Sequence, residues 1–278
     1  MQGIKKYKNQ NIAIYGMGLT GLSTAKVLKK NSKSIYCWDD NKKAREKAKK
    51  LNFPIKKFWL KADMVDTIVI SPGIDIKKTR IKKFLIKNFK KIITDIDIFF
   101  ELNKKNTIIS ITGTNGKSTT CKIIEKILTT AGYNVKTIGN IGNPVLSQNR
   151  SKKKIVFILE ASSYQLQYSK LFRSKHAAIL NISPDHLERH KNLNNYIRTK
   201  SKIFYKQKKN DFFYVNNQKK YSKKIKEIFK NKKIKSKLVL VNYNSHKKIL
   251  KKITNKYFKS KGSIENLSFA CEITKNFQ

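Results

Sequence analysis

Arginine, acidic residues and cysteine are all scarce in this chain of 278 residues. Only six of its 63 basic side chains are arginine (Arg45, Arg80, Arg150, Arg173, Arg189, Arg198), which leaves 57 lysines. Arginine is the preferred fork for phosphate and guanine recognition. Its scarcity argues against a nucleic-acid partner, even though 17 acids leave a formal net charge of +46. The lysines are spread along the whole chain, with isoleucine and asparagine also abundant, as expected of compositional drift on solvated faces rather than of a binding stripe. The three cysteines, Cys37, Cys121 and Cys271, lie far apart without a CxxC pair. That excludes a fully paired disulfide framework and fits a reducing compartment. No apolar run approaches the ~18 residues of a membrane-spanning helix. The polar, lysine-rich start from Met1 to Gln10 leads into an apolar run too short for a signal peptide. The chain is therefore expected to be soluble and cytoplasmic, without membrane insertion. A hydrophobic fraction of 39% is ample for real cores and excludes global disorder.

Short apolar runs alternate with helical stretches. Asn11–Tyr15, Ser34–Trp38 and Thr67–Ile70 read as strands, and 22–30 as a helix between the first two. Thr107–Thr112 opens a second block as a continuous apolar strand of the doubly covered type, followed by a helix over 118–131. Further strands are expected at 155–159, 177–181, 211–216 and 237–241. The stretch 219–261 is lysine-rich with poor periodicity, and 264–276 reads as a closing helix. Strand–helix alternation predicts parallel sheets with right-handed crossovers. The expected fold class is α/β: a Rossmann-like parallel-sheet domain over 1–103, then a P-loop-type α/β domain over 104–278. The second domain reads as incomplete, because it ends on a helix with no closing strand.

Four segments carry chemistry. Gly16-Met17-Gly18-Leu19-Thr20-Gly21 is a GxGxxG between a strand and a helix, with Asp39 and Asp40 at the end of the next strand. Such glycines allow a tight turn and bring backbone N–H groups toward a diphosphate at the positive helix end. The hexapeptide does not separate NAD from another nucleotide diphosphate, nor either of them from a close-packing turn without ligand. Gly113-Thr114-Asn115-Gly116-Lys117-Ser118-Thr119 follows a strand and opens a helix. Its Gly-Lys-Ser core offers N–H groups to phosphates, a lysine to the β/γ oxygens and a hydroxyl to Mg²⁺. It is shorter than a strict Walker A loop, whose first glycine position is occupied by Ile111. Glu160 ends a strand in the run Glu160-Ala161-Ser162-Ser163-Tyr164-Gln165, and Asn181-Ile182-Ser183-Pro184-Asp185-His186-Leu187-Glu188-Arg189-His190 follows another. A strand-end carboxylate faces the crevice in which α/β ligands bind. The HExxH zinc pattern would need glutamate where Leu187 stands, so a phosphate-site Mg²⁺ is the better reading. His190 is expected to be structural.

GTNGKST, EASSYQ and NISPDHLERH, in that order and spacing, resemble the Mur ligase family, and within it the D-glutamate-adding branch. The GMGLTGLS start, the turn at 70–74 and Gly139-Asn140-Ile141-Gly142 agree. The resemblance implies three domains: one binding a UDP-sugar without NAD, one binding ATP, and one closing over the site. It implies an ATP- and Mg²⁺-dependent, amide-forming ligase of peptidoglycan precursor synthesis. The reaction would join D-glutamate to UDP-N-acetylmuramoyl-L-alanine through an acyl phosphate. Carried over residue by residue, Leu19, Thr20, Asp39, Ser71, Gly73 and Asn140 would contact the UDP-sugar substrate. Gly113 to Thr119 would bind ATP, with Lys117 on the transferring phosphate. Ser118, Glu160 and His186 would hold Mg²⁺, and Lys200 matches a lysine that the family carbamylates to bridge a second Mg²⁺. Lys117, His186 and Lys200 thus form the expected catalytic set. Of the family's His-Asn-x-x-Asn only Asn266 is present, because Gly262 and Ser263 stand at the first two positions. The closing domain is expected to be missing from the chain as it ends at Gln278. The expectation is a fragment, inactive alone, with a separately encoded C-terminal domain as a possible partner. The alternative is a nucleotide-binding module without ligase activity.

Overall fold

The structure, a computed structural model, describes residues 5–139, 144–148, 153–217, 220–246, 249 and 252–277. It divides into two compact units. The first comprises residues 1–104 together with 143–150 and 167–172; the second holds 105–142, 151–166 and 173–278.

In the first unit β1 (Asn11–Tyr15), β2 (Ser34–Trp38), β3 (Thr67–Ile70) and β4 (Ile92–Ile93) form a parallel sheet in the order β2-β1-β3-β4. Helices α1 (Leu19–Lys29), α2 (Lys42–Lys50), α3 (Lys82–Lys87) and α4 (Asp95–Leu102) alternate with the strands. Chain order reverses across β1, which places a crevice at the carboxyl ends of β1 and β3. Helix α1 starts at Leu19, three residues before the apolar periodicity becomes legible. Its first turn is solvent-facing, with Leu19 68% exposed. One face of the sheet buries Ala13, Tyr15, Ile68, Ile70 and Ile92 with Phe58, Leu85 and Tyr168.

Asp97 organises one edge of this unit. Fully buried on α4, its carboxylate accepts hydrogen bonds from the backbone N–H groups of Thr94, Lys170, Leu171 and Phe172 and from Ser169 Oγ, at 2.7–3.2 Å. A short stretch of chain that lies between two strands of the second sheet is thereby captured by one side chain. Asp97→Ala would leave these donors buried and unpaired, and is expected to cost about 3 kcal/mol of stability. A urea midpoint equal to wild type would contradict the role.

The second unit is a six-stranded parallel sheet ordered β10-β9-β8-β5-β7-β6. Its strands are β5 (Thr107–Thr112), β6 (Val135–Gly139), β7 (Val156–Glu160), β8 (His176–Ile179), β9 (Phe212–Asn216) and β10 (Lys237–Val241). The helices are α5 (Lys117–Thr130), α6 (Ser163–Gln167), α7 (Leu187–His190), α8 (Leu193–Ser201), α9 (Lys220–Asn231) and α10 (Lys261–Lys275). The lysine-rich stretch expected to lack clear periodicity contains α9, in which Tyr221, Ile225, Ile228 and Phe229 recur at helical spacing on one face, Ile225 fully buried and the other three partly so. Ile109, Ile111, Ile158 and Ala178 pack with Cys121, Ile124 and Leu128 of α5 and with Phe269, Ala270 and Ile273 of α10. This core lays α10 against α5 and brings the start of α10 to the loop after β5. Among the described residues no helix is long and apolar enough to cross a membrane.

Candidate active site

In the first unit the glycine turn is braced by side chains from the two neighbouring strand ends. Asp39, just past β2, accepts from Met17 N at 2.6 Å. Ser71, just past β3, donates through Oγ to the Gly16 carbonyl at 2.7 Å. A Cβ at Gly21 would overlap that same carbonyl, so only glycine lets α1 approach the turn this closely. No atom lies within 4 Å of where a Cβ would stand on Gly18 or Gly73. Leu19 and Gly73 are exposed and Thr20 is partly so. Asp39 and Ser71, read from the sequence as pocket-lining, thus also hold the turn in shape. Asn140 lies outside the described residues.

In the second unit β7, β5 and β8 are neighbours, and their carboxyl ends carry the segments EASSYQ, GTNGKST and NISPDHLERH respectively. After β5 the chain turns through Gly113–Gly116 into α5. Gly116 caps that helix with φ 79°, a left-handed conformation, and a Cβ there would overlap the Asn266 carboxamide. Asn266, 8% exposed on α10, is therefore seated against the loop, a placement made by the packing of α10 on α5.

Two lysines converge on this loop. Lys117 Nζ donates to the carbonyls of Gly113 at 3.1 Å and Thr114 at 2.8 Å. Lys200, 2% exposed on α8, donates to the same Gly113 carbonyl at 2.9 Å and to Thr112 Oγ1 at 3.3 Å. Its ammonium also lies 4.7 Å from the centre of the Tyr196 ring. Burial, and secondarily the charge of Lys117, lowers the Lys200 pKa from 10.5 to about 7, against a smaller opposing pull from Asp185. Such a group holds a substantial neutral amine fraction at neutral pH.

Ser118 Oγ donates to Glu160 Oε2 at 2.7 Å, and Glu160 is 2% exposed at the end of β7. A hydroxyl beside a carboxylate, next to a phosphate-type loop, is the donor pair expected of a Mg²⁺ site that leaves further positions to water and phosphate. The residues present fit that ion. Among the described residues no three His, Cys, Asp or Glu side chains cluster as metal ligands. His186 sits in a left-handed conformation, φ 52°, before α7. Its imidazole lies 3.4 Å from Asp185, 3.7 Å from Glu188 and 4.9 Å, ring to ring, from Tyr164. His190 is buried with Nε2 3.0 Å from Ser163 Oγ, and burial lowers its pKa to about 4, so it is a neutral structural imidazole at pH 7.

Sequence reading assigned no role to Tyr196, whose hydroxyl lies 3.4 Å from Thr114 Oγ1. The signal was available: Tyr196 and Lys200 are four apart on α8 and share a face.

Residues 111–276 match the model of the Mur ligase middle domain, and residues 10–93 match that of the Mur ligase MurD-like, N-terminal domain. A curated UDP-N-acetylmuramoylalanine--D-glutamate ligase of Rickettsia bellii (strain RML369-C) is 39% identical over 284 residues, taking in 98% of this chain and 60% of the relative. The protein of the same name from Wolbachia pipientis wMel is 40% identical over 207 residues, covering 72% of this chain and 40% of its own length. The chain thus spans 60% or less of these relatives. The crystal structure of UDP-N-acetylmuramate:L-alanyl-gamma-D-glutamyl-meso-diaminopimelate ligase from Neisseria meningitides superposes with a TM-score of 0.52 at 14% identity, over 83% of this chain and 77% of that one, which bears on the fold. The middle-domain match alone takes in more than half of the sequence and contains all three strand-end segments of the second sheet, so the chain belongs to the Mur ligase family.

Proposed function

We propose that this chain carries the UDP-sugar-binding and ATP-binding parts of an amide-forming ligase that adds D-glutamate to UDP-N-acetylmuramoyl-L-alanine. The observation that carries the reading is the convergence of Lys117, Lys200, the Ser118–Glu160 pair and Asn266 on one glycine loop at the carboxyl ends of β5, β7 and β8. Curated relatives bearing that ligase name support the choice of substrates.

In this reading the Gly113–Thr119 loop takes the phosphates of ATP, and Lys117 turns from its carbonyl partners to the transferring phosphoryl oxygens. A carboxylate oxygen of the UDP-sugar attacks the γ-phosphorus, the bond to ADP breaks, and an acyl phosphate forms. The D-glutamate amine then attacks the acyl carbon, and phosphate leaves with the former carbon–oxygen bond pair. Ser118, Glu160 and His186 would hold Mg²⁺, which when bound neutralises phosphate charge. Lys200, as a neutral amine, would add CO₂ and release a proton, turning a buried cation into a carbamate with oxygen donors. Residues 1–103 would bind the UDP-sugar, with Leu19, Thr20, Asp39, Ser71, Gly73 and Asn140 in contact, and 104–278 would bind ATP. A closing domain, in the same or a separate chain, and a cytoplasmic setting complete the proposal.

The test is ATP-dependent phosphate release with the UDP-sugar and D-glutamate, run with this chain alone and with the carboxyl-terminal part of the Rickettsia bellii relative added. Release requiring both substrates supports the ligase; ATP binding without release in either arm would instead favour a nucleotide-binding module. A second titration addresses the first unit. UDP-N-acetylmuramoyl-L-alanine is expected to bind and NAD not to; tighter binding of NAD would overturn the assignment of the glycine turn.

A further inference from the structure

We propose that Asn181 is a positioning residue for the phosphate loop, and that its carboxamide sets the loop's affinity for phosphate-bearing nucleotides. The proposal rests on the reading of Gly113–Thr119 as the ATP loop. Asn181 lies two residues past β8, on the strand that borders β5. Its side chain clamps a single residue of the loop from both ends. Asn115 N donates to Asn181 Oδ1 at 2.8 Å, and Asn181 Nδ2 donates to the Asn115 carbonyl at 2.9 Å. A planar carboxamide here stands in for a peptide group and pairs with Asn115 as a neighbouring strand would.

The backbone around Asn181 continues the same template. Thr114 N donates to the Asn181 carbonyl at 3.1 Å. Ser183 N donates to Thr114 Oγ1 at 3.0 Å, and Thr114 Oγ1 donates to the Ser183 carbonyl at 3.2 Å. Residues 113–116 connect a strand to a helix; lysines and Thr120 satisfy carbonyls of Gly113, Thr114 and Gly116, while the 181–183 segment takes both backbone groups of Asn115, the Thr114 N–H and the Thr114 hydroxyl. By fixing the peptide groups of Thr114 and Asn115 it sets which way the loop's remaining N–H groups point. An anion cradle works only if its N–H groups already face the phosphate, since reorienting them on binding subtracts from affinity. The clamp also links two sequence segments: the loop that would take phosphate, and the loop carrying Asp185 and His186, which begins at Asn181.

The chemistry of the clamp is specific. Alanine removes both hydrogen bonds. Aspartate keeps the shape and the acceptor but loses the donor, and places a carboxylate oxygen against the Asn115 carbonyl. Both variants are therefore expected to release the loop, and the isosteric one guards against loss of fold.

The experiment uses the full chain, wild type and Asn181→Ala, Asn181→Asp and Lys117→Ala, each first checked for an intact cooperative unfolding transition. Three quantities are measured: hydrogen exchange at the Asn115 amide, affinity for ATP, and affinity for adenosine. Losing two ordinary hydrogen bonds is expected to speed Asn115 exchange and weaken ATP binding, each by about 10-fold, in both Asn181 variants. Adenosine binding should be unchanged, because it does not use the phosphate loop. If Asn181→Ala binds ATP like wild type while Lys117→Ala is weakened, the positioning role is overturned and the ATP-loop reading stands. If neither variant changes ATP binding, the ATP-loop reading fails and takes this proposal with it. An effect on ATP and adenosine alike would mean a general structural role, and would also overturn the proposal.

Discussion

Lys117→Ala is expected to slow ATP-dependent phosphate release by about 10²–10³-fold while leaving the fold intact. The rate estimate follows from removing one pre-positioned charge from a site where negative charge develops on transferring oxygens. Preservation of the fold follows from its surroundings. The described hydrogen bonds of Lys117 run to the carbonyls of Gly113 and Thr114, at the mouth of a turn and not in a core. The Gly113 carbonyl keeps Lys200 as a donor when Lys117 is removed. A second consequence has a definite sign. Lys117 is the charge that pushes the Lys200 pKa down after burial itself, so Lys117→Ala should raise the pKa of Lys200 above about 7. Phosphate release under saturating substrates and the chemical shift of the Lys200 side chain against pH measure the two effects. Near-normal turnover in Lys117→Ala would refute the phosphate role.

Lys200→Met is expected to stabilise the protein at pH 6 while removing activity. In the folded chain the Lys200 ammonium gives up its proton near pH 7 rather than 10.5. Below pH 7 the lysine is charged whether folded or unfolded, and burying that charge costs the fold about 5 kcal/mol. Above pH 10.5 it is neutral in both states and the cost is gone. Between these limits the unfolded chain binds more protons than the folded one, so this group makes stability rise with pH. Methionine fills similar volume without charge and loses the hydrogen bonds to Gly113 and Thr112, so its net gain at pH 6 is about 2–4 kcal/mol. The difference between wild type and variant should shrink as pH rises from 7 to 10.5 in CO₂-free buffer. Parallel stability curves would show that Lys200 is not the buried titrating group. Added ¹³C-bicarbonate should give a carbamate carbon signal in wild type that Lys200→Met lacks. In the ligase assay Lys200→Ala should be nearly inactive and partly restored by small carboxylic acids, whereas Lys200→Arg, which keeps the charge, should not recover.

What was legible in the sequence follows from local rules. Parallel strands read as continuous apolar runs, and five of them, Ser34–Trp38, Thr67–Ile70, Thr107–Thr112, Lys237–Val241 and Asn11–Tyr15, stand at the bounds that the apolar runs suggest. Helix α2, by contrast, is KKAREKAKK with Ala48 alone buried and carries almost no apolar pattern, whereas α9 does carry one, Tyr221, Ile225, Ile228 and Phe229 at helical spacing, set among lysines. Their placement depends on the strands they connect. The two-residue strand β4 is held by pairing with β3 and is too short to carry a pattern of its own.

The glycine turns belong to the sequence, because glycine takes the left-handed conformation at Gly116 without strain and a Cβ at Gly116 or Gly21 would overlap a neighbouring group. So does Glu160 at a strand end, since the apolar run before it, 155–159, stops there. Tertiary structure decided the rest. Lys200 is one of 57 lysines; composition does not single it out, and in the sequence only the family resemblance does. It becomes special because α8 buries it against Gly113, 87 residues away, beside a second cation. Asn266 reaches Gly116 only because α10 packs on α5 in a shared core. Asn181 clamps Asn115 only because β8 lies next to β5. Backbone conformation is set within a few residues, whereas desolvation and side-chain pairing depend on which distant surfaces the fold brings together.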